Sequence, residues 1–321
     1  MFRMSHRIAV VAMCFPICIW GDLARSQDYP SKPVRLIVAN TPGSIGDLTA
    51  RIIAPEMSRN LGQPMIVENR PGANFIIGYE HVAKSPADGY TLATVTVESL
   101  PILAVTAKNL RFDPLKDLPP FIGLIEGRLV VGSSTQLPWK TFDEMSAYIK
   151  ANPGKMNSGT SSPASRLPLE ALVRGKGLNL VHIPYSATGP YIQAISSAEI
   201  ALGLITETQA ASLGDKFRVL AISGEQRAQG YPTIPTFGEL GLGQIPGFSF
   251  SLNAPAGTPE PIINKLHSAA SRALMQPEVR AQYAKLKVEI LNQPPEAAAR
   301  KLADHGKFFT DIAKQIGLQP E

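Results

Sequence analysis

Short apolar segments alternate with segments of helical periodicity along most of the chain, and this alternation limits the fold more than any other feature. Residues 34–39, 65–68 and 90–95 have the composition of buried strands, and residues 47–61 and 78–84 have helical periodicity. Strands that alternate with helices are typical of doubly wound α/β proteins. We therefore expect an α/β fold with mostly parallel sheets.

Local residue choices mark several helix boundaries. Pro55 lies inside the first predicted helix and indicates a kink or an early end there. Residues 141–144 and 236–239 have the capping-box pattern of a helix start. Pro259 occupies the first position of a further helix, and residues 296–316 predict an amphipathic helix near the carboxyl terminus.

The middle of the chain has the pattern of a domain inserted into another domain. Two extended stretches, residues 121–133 and 248–254, bracket a segment with its own alternation of strands and helices, and they are interpreted as crossover strands of a hinge. That segment contains the predicted strands 179–185, 199–206 and 217–223. We predict domain 1 over residues 27–124 and 252–321, and the inserted domain 2 over residues 125–251.

The first 26 residues have the features of a secretory signal peptide. Three basic residues fall within the first seven positions, residues 8–20 are apolar, and Ala24 and Ser26 are small residues placed for cleavage before Gln27. The apolar run of 13 residues is shorter than the roughly 20 that span a bilayer. We expect cleavage, export to the periplasm and loss of both cysteines with the signal peptide.

The charge distribution argues against nucleic acid as a partner. The chain has a net charge of +5, and the signal peptide removes three arginines and one aspartate, which leaves +3 on the mature protein. The lysines and arginines are scattered, without the basic cluster and interleaved aromatic residues of a nucleic-acid groove. A small positive excess favours an anionic ligand.

Familiar catalytic and metal-binding motifs are missing from the mature sequence. The patterns G-x-S-x-G, G-x-x-x-x-G-K-[ST], H-E-x-x-H and C-x-x-C are all absent. The histidines His81, His182, His267 and His305 are far apart and are interpreted as surface or core residues. We therefore expect no metal, no cofactor and no enzymatic activity.

Two loops of small polar residues follow predicted strands and precede predicted helices. Backbone N–H groups in such loops turn toward a bound group, and the helix start adds partial positive charge, which suits a carboxylate or a phosphate. A plain turn with Asp47 as N-cap is the alternative for the first loop. We expect the loops to face each other across a cleft. The candidate ligand-binding residues are Thr41, Pro42, Gly43, Ser44, Ile45, Gly46 and Asp47 in the first loop, and Ser158, Gly159, Thr160, Ser161 and Ser162 in the second.

Short motifs along nearly the whole mature chain resemble one protein family. They are Val-Glu-Asn-Arg-Pro-Gly at 67–72, Gly78, Ala-Asp-Gly-Tyr-Thr-Leu at 87–92, Asp-Pro-Leu-Lys-Asp at 113–117, Ala-Asn-Pro-Gly-Lys at 151–155, His-Ile-Pro-Tyr at 182–185, Ala-Pro-Ala-Gly-Thr-Pro at 254–259 and Pro-Glu-Val-Arg at 277–280. In order and spacing they are similar to the Bug family, the periplasmic solute-binding proteins of tripartite tricarboxylate transporters.

The resemblance implies two lobes of the type II periplasmic binding protein kind, with a cleft that closes on a small carboxylate. Backbone amides and ordered waters at the two loops would hold one carboxylate end. Of the family pattern P-G-G-x-T-D, this sequence keeps Pro42, Gly43 and Asp47 but has Gly46 in place of threonine. Arg166 stands where the family has a histidine after the second loop.

Further positions are assigned to the cleft by the same resemblance. Tyr185, Thr188 and Gly189 match a loop that leads toward the cleft. Phe75 adds apolar bulk where the family is rich in glycine, and Thr206 ends a strand after which the family often has a phenylalanine–aspartate pair. A more apolar pocket, with Arg166 as a bidentate carboxylate contact, predicts a monocarboxylate or aromatic carboxylate rather than citrate. The alternative is that the apolar side chains simply pack under their helix.

Three functional hypotheses follow. The leading one is a periplasmic, monomeric receptor that delivers a small organic carboxylate to the subunits of a membrane transporter. A sensing module that docks on a sensor kinase needs the same cleft, and the sequence does not separate it from the first. An exported hydrolase is the third, with Ser158, Ser161 or Ser162 as nucleophile, although no base is visible beside them in the sequence.

Overall fold

The computed structural model describes residues 29–161, 163–243, 245–315 and 317. The predicted signal peptide and its cleavage position before Gln27 lie outside these residues, as does Ser162. In the part that is described, no helix is long and apolar enough to cross a membrane.

Strands and helices alternate through the described chain, as the sequence predicts. The strands are β1 (Val34–Val38), β2 (Met65–Asn69), β3 (Thr91–Thr96), β4 (Pro120–Gly127), β5 (Leu129–Ser134), β6 (Met156–Thr160), β7 (Leu180–Pro184), β8 (Leu202–Thr206), β9 (Phe217–Ile222), β10 (Phe248–Asn253) and β11 (Glu289–Gln293). The helices are α1 (Ile45–Leu61), α2 (Ile76–Ala83), α3 (Ser99–Thr106), α4 (Phe142–Ala151), α5 (Pro163–Gly175), α6 (Thr188–Ser196), α7 (Glu207–Leu213), α8 (Glu260–Leu274), α9 (Pro277–Lys285) and α10 (Pro295–Gln315).

The strands form two sheets, and helices pack on both faces of each. The first sheet has the order β11-β4-β10-β3-β1-β2, and the second has the order β7-β6-β8-β5-β9. Along β1, Leu36 and Val38 belong to one apolar cluster, whereas Ile37 belongs to a separate cluster on the opposite face. Strands buried on both faces are what a doubly wound fold requires. The predicted α/β fold with two doubly wound sheets is confirmed.

The expectation of mostly parallel sheets is wrong, because both sheets are mixed. β1 is parallel to β2 and β3, and β6 is parallel to β7 and β8. β10 is antiparallel to β3 and β4, and β5 is antiparallel to β8 and β9. The physical reason is that β5 and β10 arrive from the other sheet. Each enters at the carboxyl edge of the parallel strands and must therefore run against them.

The carboxyl edges of the two sheets meet at the connections between them. β3 and β4 both run antiparallel to β10, so Gly127 at the end of β4 lies at the same edge as Thr96. In the second sheet, Leu129 at the start of β5 pairs with Thr206 at the end of β8. Only Arg128 separates Gly127 from Leu129. The loops that follow the parallel strands of both sheets are therefore on the same side of the molecule as the hinge.

We propose that the two lobes follow the two sheets. The predicted boundaries at residues 124 and 251 fall inside β4 and β10, which both belong to the first sheet. The predicted extended stretch 121–133 is two strands, β4 and β5, one in each sheet. We therefore place the first crossing at Arg128 and the second in residues 223–247. Ser223 joins the crossings, since its Oγ accepts from the Leu129 N–H at 2.9 Å and its carbonyl accepts from Arg128 Nη1 at 2.9 Å.

Helix α1 continues through Pro55, so an early end of the helix there is wrong. A proline inside a helix removes one backbone hydrogen bond and crowds the carbonyl one turn before it. The buried face of α1 includes Ile53 and Met57, and the helix packs against α8. Burial of two such side chains contributes roughly 3–6 kcal/mol, which offsets the cost of about 3 kcal/mol for the proline.

The two predicted capping boxes have different outcomes. At the start of α4, Thr141 Oγ1 accepts from the Glu144 N–H at 3.2 Å. Thr236 and Glu239 bond reciprocally, at 3.1 and 2.8 Å, but only a turn follows them. Gly238, Gly241 and Gly243 come within the next turns, and glycine is the poorest helix former after proline.

The lobes also touch beside the hinge, through helix α5 of the second lobe. Leu167 on α5 is buried in one apolar cluster with Ile102 of α3 and with Phe309 and Ile312 of α10. This contact places the start of α5 next to the carboxyl edge of the first sheet, because α3 begins directly after β3.

Candidate functional site

Helix α1 begins at the carboxyl edge of the first sheet, and Ser44 is its N-cap. Ser44 Oγ accepts from the Asp47 N–H at 3.4 Å, and the helix starts at Ile45. The alternative in which Asp47 is the N-cap is therefore wrong, because Asp47 is the third residue inside the helix. Thr41, Pro42 and Gly43 are exposed in the loop before it.

The Asp47 carboxylate is buried and holds this loop in place. One carboxylate oxygen, Oδ2, accepts from the Gly43 N–H at 2.9 Å. The other accepts from Arg51 Nε at 2.9 Å and from Asn69 Nδ2 at 2.8 Å. Burial by itself raises the pKa of Asp47, but the hydrogen bonds from Arg51, Gly43 and Asn69 outweigh it and hold the pKa below its ordinary value. Its oxygens are therefore committed to the protein, and Asp47 positions the loop.

This lowered pKa predicts acid sensitivity. The unfolded chain binds a proton at Asp47 near pH 4, whereas the folded chain binds it only at lower pH. The stability that the charge contributes is therefore fully present above about pH 4 and is lost as the pH falls through the folded-state pKa. We expect the urea midpoint of the mature protein to fall between about pH 5 and pH 3. The fall should be shallower in Asp47→Asn, and equal slopes would contradict the assignment.

The first turn of α1 carries backbone donors that the helix itself does not use. The first N–H groups of a helix have no acceptor inside it. Ser44 caps the N–H of Asp47, which leaves those of Ile45 and Gly46 without an intrahelical acceptor. At the N-terminus of a helix of 17 residues, such donors suit an anion.

The predicted second loop, residues 157–162, is largely a strand. Met156–Thr160 is β6, which pairs with β7 on one side and β8 on the other. Its Asn, Ser and Gly residues are poor strand formers, but pairing on both sides overrides local preference. Ser158 and Gly159 are buried inside the sheet, and Ser158 lines a cavity of about 310 Å³ beneath α5. Ser161 comes directly after the strand.

Helix α6 gives the second lobe its own set of open donors. The helix starts at Thr188, follows the N-cap Ala187 and has no side-chain cap. Thr188 and Gly189 are exposed, and their N–H groups precede the first intrahelical bond, which Tyr191 makes to the Ala187 carbonyl at 3.4 Å. Tyr185 lies just before this turn, and its hydroxyl bonds Glu199 at 3.0 Å.

Arg166 lies on the first turns of α5 and is paired within its own helix. Its Nε donates to Glu170 Oε1 at 2.9 Å, and its side chain is 45% exposed. Burial, with the Arg166 charge as a second cause, lowers the pKa of His182 on β7. The guanidinium therefore lies on the β7 side of α5.

Two other predicted residues have structural partners. Phe75 has a left-handed backbone with φ of 76°, as do Ala73 and Asn74 before it. Its half-buried ring packs against Tyr79, 5.9 Å between centroids, in the cluster beneath α2. Thr206 forms a reciprocal capping box with Gln209 at the start of α7. Their contact with a ligand stays a prediction.

One side-chain pair has the residue types of a nucleophile and a base. Thr160 Oγ1 and His182 Nε2 are 3.3 Å apart, so a base does lie beside the second loop, which the sequence did not reveal. His182 Nδ1, however, is buried without a partner, and a triad needs a carboxylate at that nitrogen. The described residues also contain no group of three potential metal ligands.

Asn40 lies beside the first loop and is not among the residues predicted from the sequence. It follows β1 by two residues, is half buried, and its Oδ1 is buried without a hydrogen-bond partner. A polar residue directly after a buried strand was the signal available in the sequence.

Comparison with known proteins places the chain among periplasmic binding proteins. Residues 49–318 match the model of the tripartite tricarboxylate transporter family receptor. The chain is 34% identical over 314 residues to a protein of Cupriavidus necator described as a UPF0065 protein in the gbd 5' region, covering 97% of this chain and 95% of that protein. It is similar to Bordetella pertussis protein BugT, at 28% identity over 328 residues and 99% of each chain.

Solved structures of the same kind share the fold. The periplasmic binding protein BugD superposes with a TM-score of 0.81 at 26% identity, covering 91% of this chain and 100% of that one. MatC from Rhodopseudomonas palustris, solved with bound malate, superposes with a TM-score of 0.80 at 28% identity, covering 88% of this chain and 99% of that one.

Proposed function

The chain belongs to the tripartite tricarboxylate transporter receptor family, whose members are periplasmic solute-binding proteins of the Bug type, and on this premise we propose that it captures a small carboxylate between its lobes for delivery to a membrane transporter. The observation that carries the proposal is a pair of helix starts whose first N–H groups have no intrahelical acceptor, that of α1 in one lobe and that of α6 in the other. Both lie at the carboxyl edges of the sheets, which meet at the hinge. Donors from both lobes can hold one anion and draw the lobes together.

The charges near these helix starts favour a ligand with one carboxylate. Arg51 is paired with Asp47 and Arg166 with Glu170, so these two arginines each face an acid, whereas Arg128 at the hinge donates to the carbonyls of Ser223 and Gln226. A tricarboxylate would bring three negative charges to donors that are mainly neutral, which costs desolvation without compensation. We therefore propose a monocarboxylate or aromatic carboxylate. MatC was solved with malate, so a dicarboxylate is the natural competitor.

The experiment is a calorimetric titration of the mature protein, residues 27–321, with benzoate, hexanoate, malate and citrate. Thermal unfolding with each compound is the second readout. A ligand at about 100 times its dissociation constant adds roughly 2.7 kcal/mol to the free energy of unfolding, a rise of several degrees in Tm. Binding of no carboxylate would overturn the proposed function. Citrate binding more tightly than benzoate and hexanoate would overturn only the ligand class.

Arg166 is proposed to contribute a carboxylate contact. Its bond to Glu170 uses Nε, and the terminal nitrogens have the geometry for a bidentate carboxylate. We expect Arg166→Ala to weaken the best-binding carboxylate about tenfold, since a charge-assisted hydrogen bond contributes roughly 1.5–3 kcal/mol. Arg300→Ala, an exposed arginine on α10, should leave affinity unchanged. Equal affinities of the two variants would make Arg166 a surface residue only.

A further inference from the structure

Two arginines share one carboxylate at the β2 edge of the first sheet. Glu68 on the edge strand β2 accepts from Arg35 Nη2 at 2.6 Å through Oε2, and from Arg70 Nε at 2.6 Å through Oε1. The three side chains are between 34% and 39% exposed, so a partner can reach them. Two guanidinium groups on one carboxylate leave one positive charge, and no acceptor among the described residues binds Arg70 Nη1 or Nη2.

The half-buried His81 on α2 responds to the same excess of positive charge. Burial is the main cause that lowers the pKa of His81, and the charges of Arg70 and Arg35 lower it further. Glu68 acts in the opposite direction, but its effect is smaller than that of either arginine. A negative charge brought to this place would therefore be attracted.

Two large apolar side chains are exposed on the same surface. Ile66 is 50% exposed and lies two residues before Glu68, so both side chains are on one face of β2. Ile77 is 52% exposed and lies four residues before His81 on α2, so both are on one side of the helix. A Cβ atom on Gly72, two residues after Arg70, would be 2.8 Å from Ile77 Cδ1. We define the β2–α2 face by Arg35, Ile66, Glu68, Arg70, Ile77 and His81.

We infer that the β2–α2 face is the surface by which the protein docks on an acidic and apolar segment of the membrane transporter. The inference rests on the proposed function, because it assumes a receptor that hands its ligand to a transporter. Arginine is enriched at protein interfaces and binds carboxylates in a bidentate manner, and exposed apolar side chains that lie together mark interaction sites. A carboxylate of the partner would bind the terminal nitrogens of Arg70, and apolar side chains beside it would cover Ile66 and Ile77.

A protein fits this face better than an anionic membrane does. The face carries Glu68 among its cations, and Glu80 lies beside it on α2, paired with Lys84 at 2.5 Å. A bilayer of anionic lipids presents negative charge over its whole surface, which both glutamates would repel. A single acidic side chain of a protein can approach Arg70 without approaching the glutamates as closely.

The end of β2 connects this face with the loop before α1. Asn69 lies between Glu68 and Arg70, and its side chain is on the opposite side of the strand. There its Nδ2 donates to Asp47 Oδ1 at 2.8 Å, and its Oδ1 accepts from Arg51 Nη2 at 2.8 Å. A partner that binds Arg70 is therefore one residue away from the network that holds the loop, so docking acts on the proposed ligand site.

The test compares uptake with ligand binding in Arg70→Gln, which leaves the pair of Arg35 and Glu68 intact. The bacterium that encodes the protein, with its gene replaced by each variant, is supplied with the radiolabelled carboxylate that binds best among benzoate, hexanoate, malate and citrate. Uptake should fall at least about tenfold, because truncating a central interface arginine commonly has an effect of this size. The Kd of the purified variant for the same carboxylate should stay within about twofold of the parent value.

A second variant and two controls separate docking from a general effect on folding. The double variant Ile66→Thr/Ile77→Gln keeps every charge and should also lose uptake without losing affinity. Arg59→Gln, an exposed and paired arginine on α1, should take up the carboxylate like the parent. The same holds for Val181→Thr/Met275→Gln, in which two equally exposed apolar side chains are changed elsewhere.

Each other outcome contradicts the inference in its own way. Parental uptake by Arg70→Gln would overturn it while the proposed function stands, and an equal loss of affinity would make Arg70 part of the ligand site instead. Sedimentation of the parent protein with phosphatidylglycerol vesicles, lost in Arg70→Gln, would assign the face to the membrane. If the parent binds none of the carboxylates, or if uptake does not depend on the gene, the proposed function falls with the inference.

Discussion

Replacing Asp47 with alanine is expected to lower the free energy of unfolding by about 3 kcal/mol and to weaken carboxylate binding at least about tenfold. The carboxylate is buried and accepts three hydrogen bonds, from Gly43, Arg51 and Asn69. Its removal takes the acceptor from the exposed Gly43 N–H and one of two acceptors from the Asn69 amide, which still donates to the Asn40 carbonyl. The loss is therefore mainly that of hydrogen bonds to a charged group, which contribute roughly 1.5–3 kcal/mol each. Arg51 loses less, because its half-exposed side chain can turn to water.

The effect on binding follows from the position of Gly43. The Asp47 carboxylate holds the loop against the first turn of α1 by accepting a hydrogen bond from Gly43. Without this bond the loop is no longer fixed beside the free N–H groups of Ile45 and Gly46. Urea unfolding measures the loss of stability, and calorimetry with the best-binding carboxylate measures the loss of affinity. Asp304→Ala, an exposed acid on α10, controls for the change of net charge. If Asp47→Ala unfolds and binds like Asp304→Ala, the positioning role is wrong.

Replacing Gly247 with alanine is expected to disturb the hinge itself. Gly247 directly precedes β10, and a Cβ atom there would overlap the carbonyl oxygen of Gly127 at the end of β4. The Gly127 oxygen is a backbone atom and cannot rotate away as a side chain would. The two crossings between the lobes must therefore move apart. Overpacking of this kind costs about 1–3 kcal/mol or more. Because the lobes are joined here, the cleft should also change its opening and its affinity.

The matched control is Gly230→Ala. Gly230 has an ordinary backbone conformation and open space around its Cα, so its substitution should change stability by less than about 0.5 kcal/mol. Urea midpoints and carboxylate titrations of the two variants provide the comparison. A Gly247→Ala variant as stable as Gly230→Ala, with unaltered affinity, would show that the crossings are not closely packed in solution.

Much of the fold could be predicted because its signals are local. Periodicity located β1, β3 and α1, and the pattern at Thr141 identified the start of α4. The first loop could also be predicted. Small residues between a strand and a helix indicate free backbone N–H groups, and this signal does not depend on the tertiary environment. The pattern at 236–239 gave the correct hydrogen bonds but no helix, because glycines follow it.

The larger errors concern contacts between distant parts of the chain. Residues 156–160 have a composition typical of a loop, yet they are the centre of a three-strand parallel set, because β7 and β8 supply hydrogen bonds on both sides. Pro55 interrupts the local pattern of α1, yet packing against α8 keeps the helix continuous. Strand direction was misjudged for the same reason, since no short pattern shows from which lobe β5 or β10 arrives.

The sequence by itself determined the order of strands and helices, the α/β class and the family resemblance, because each depends on residues close together in the chain. Only the tertiary structure decided that the carboxyl edges of both sheets meet at Arg128, and that Asn40, Gly46 and Phe250 share one space. It also decided that the Asp47 carboxylate is bound within the protein. Burial and hydrogen-bond partners depend on distances between residues that the chain brings together only when it folds, and these distances decide which polar groups remain for a ligand.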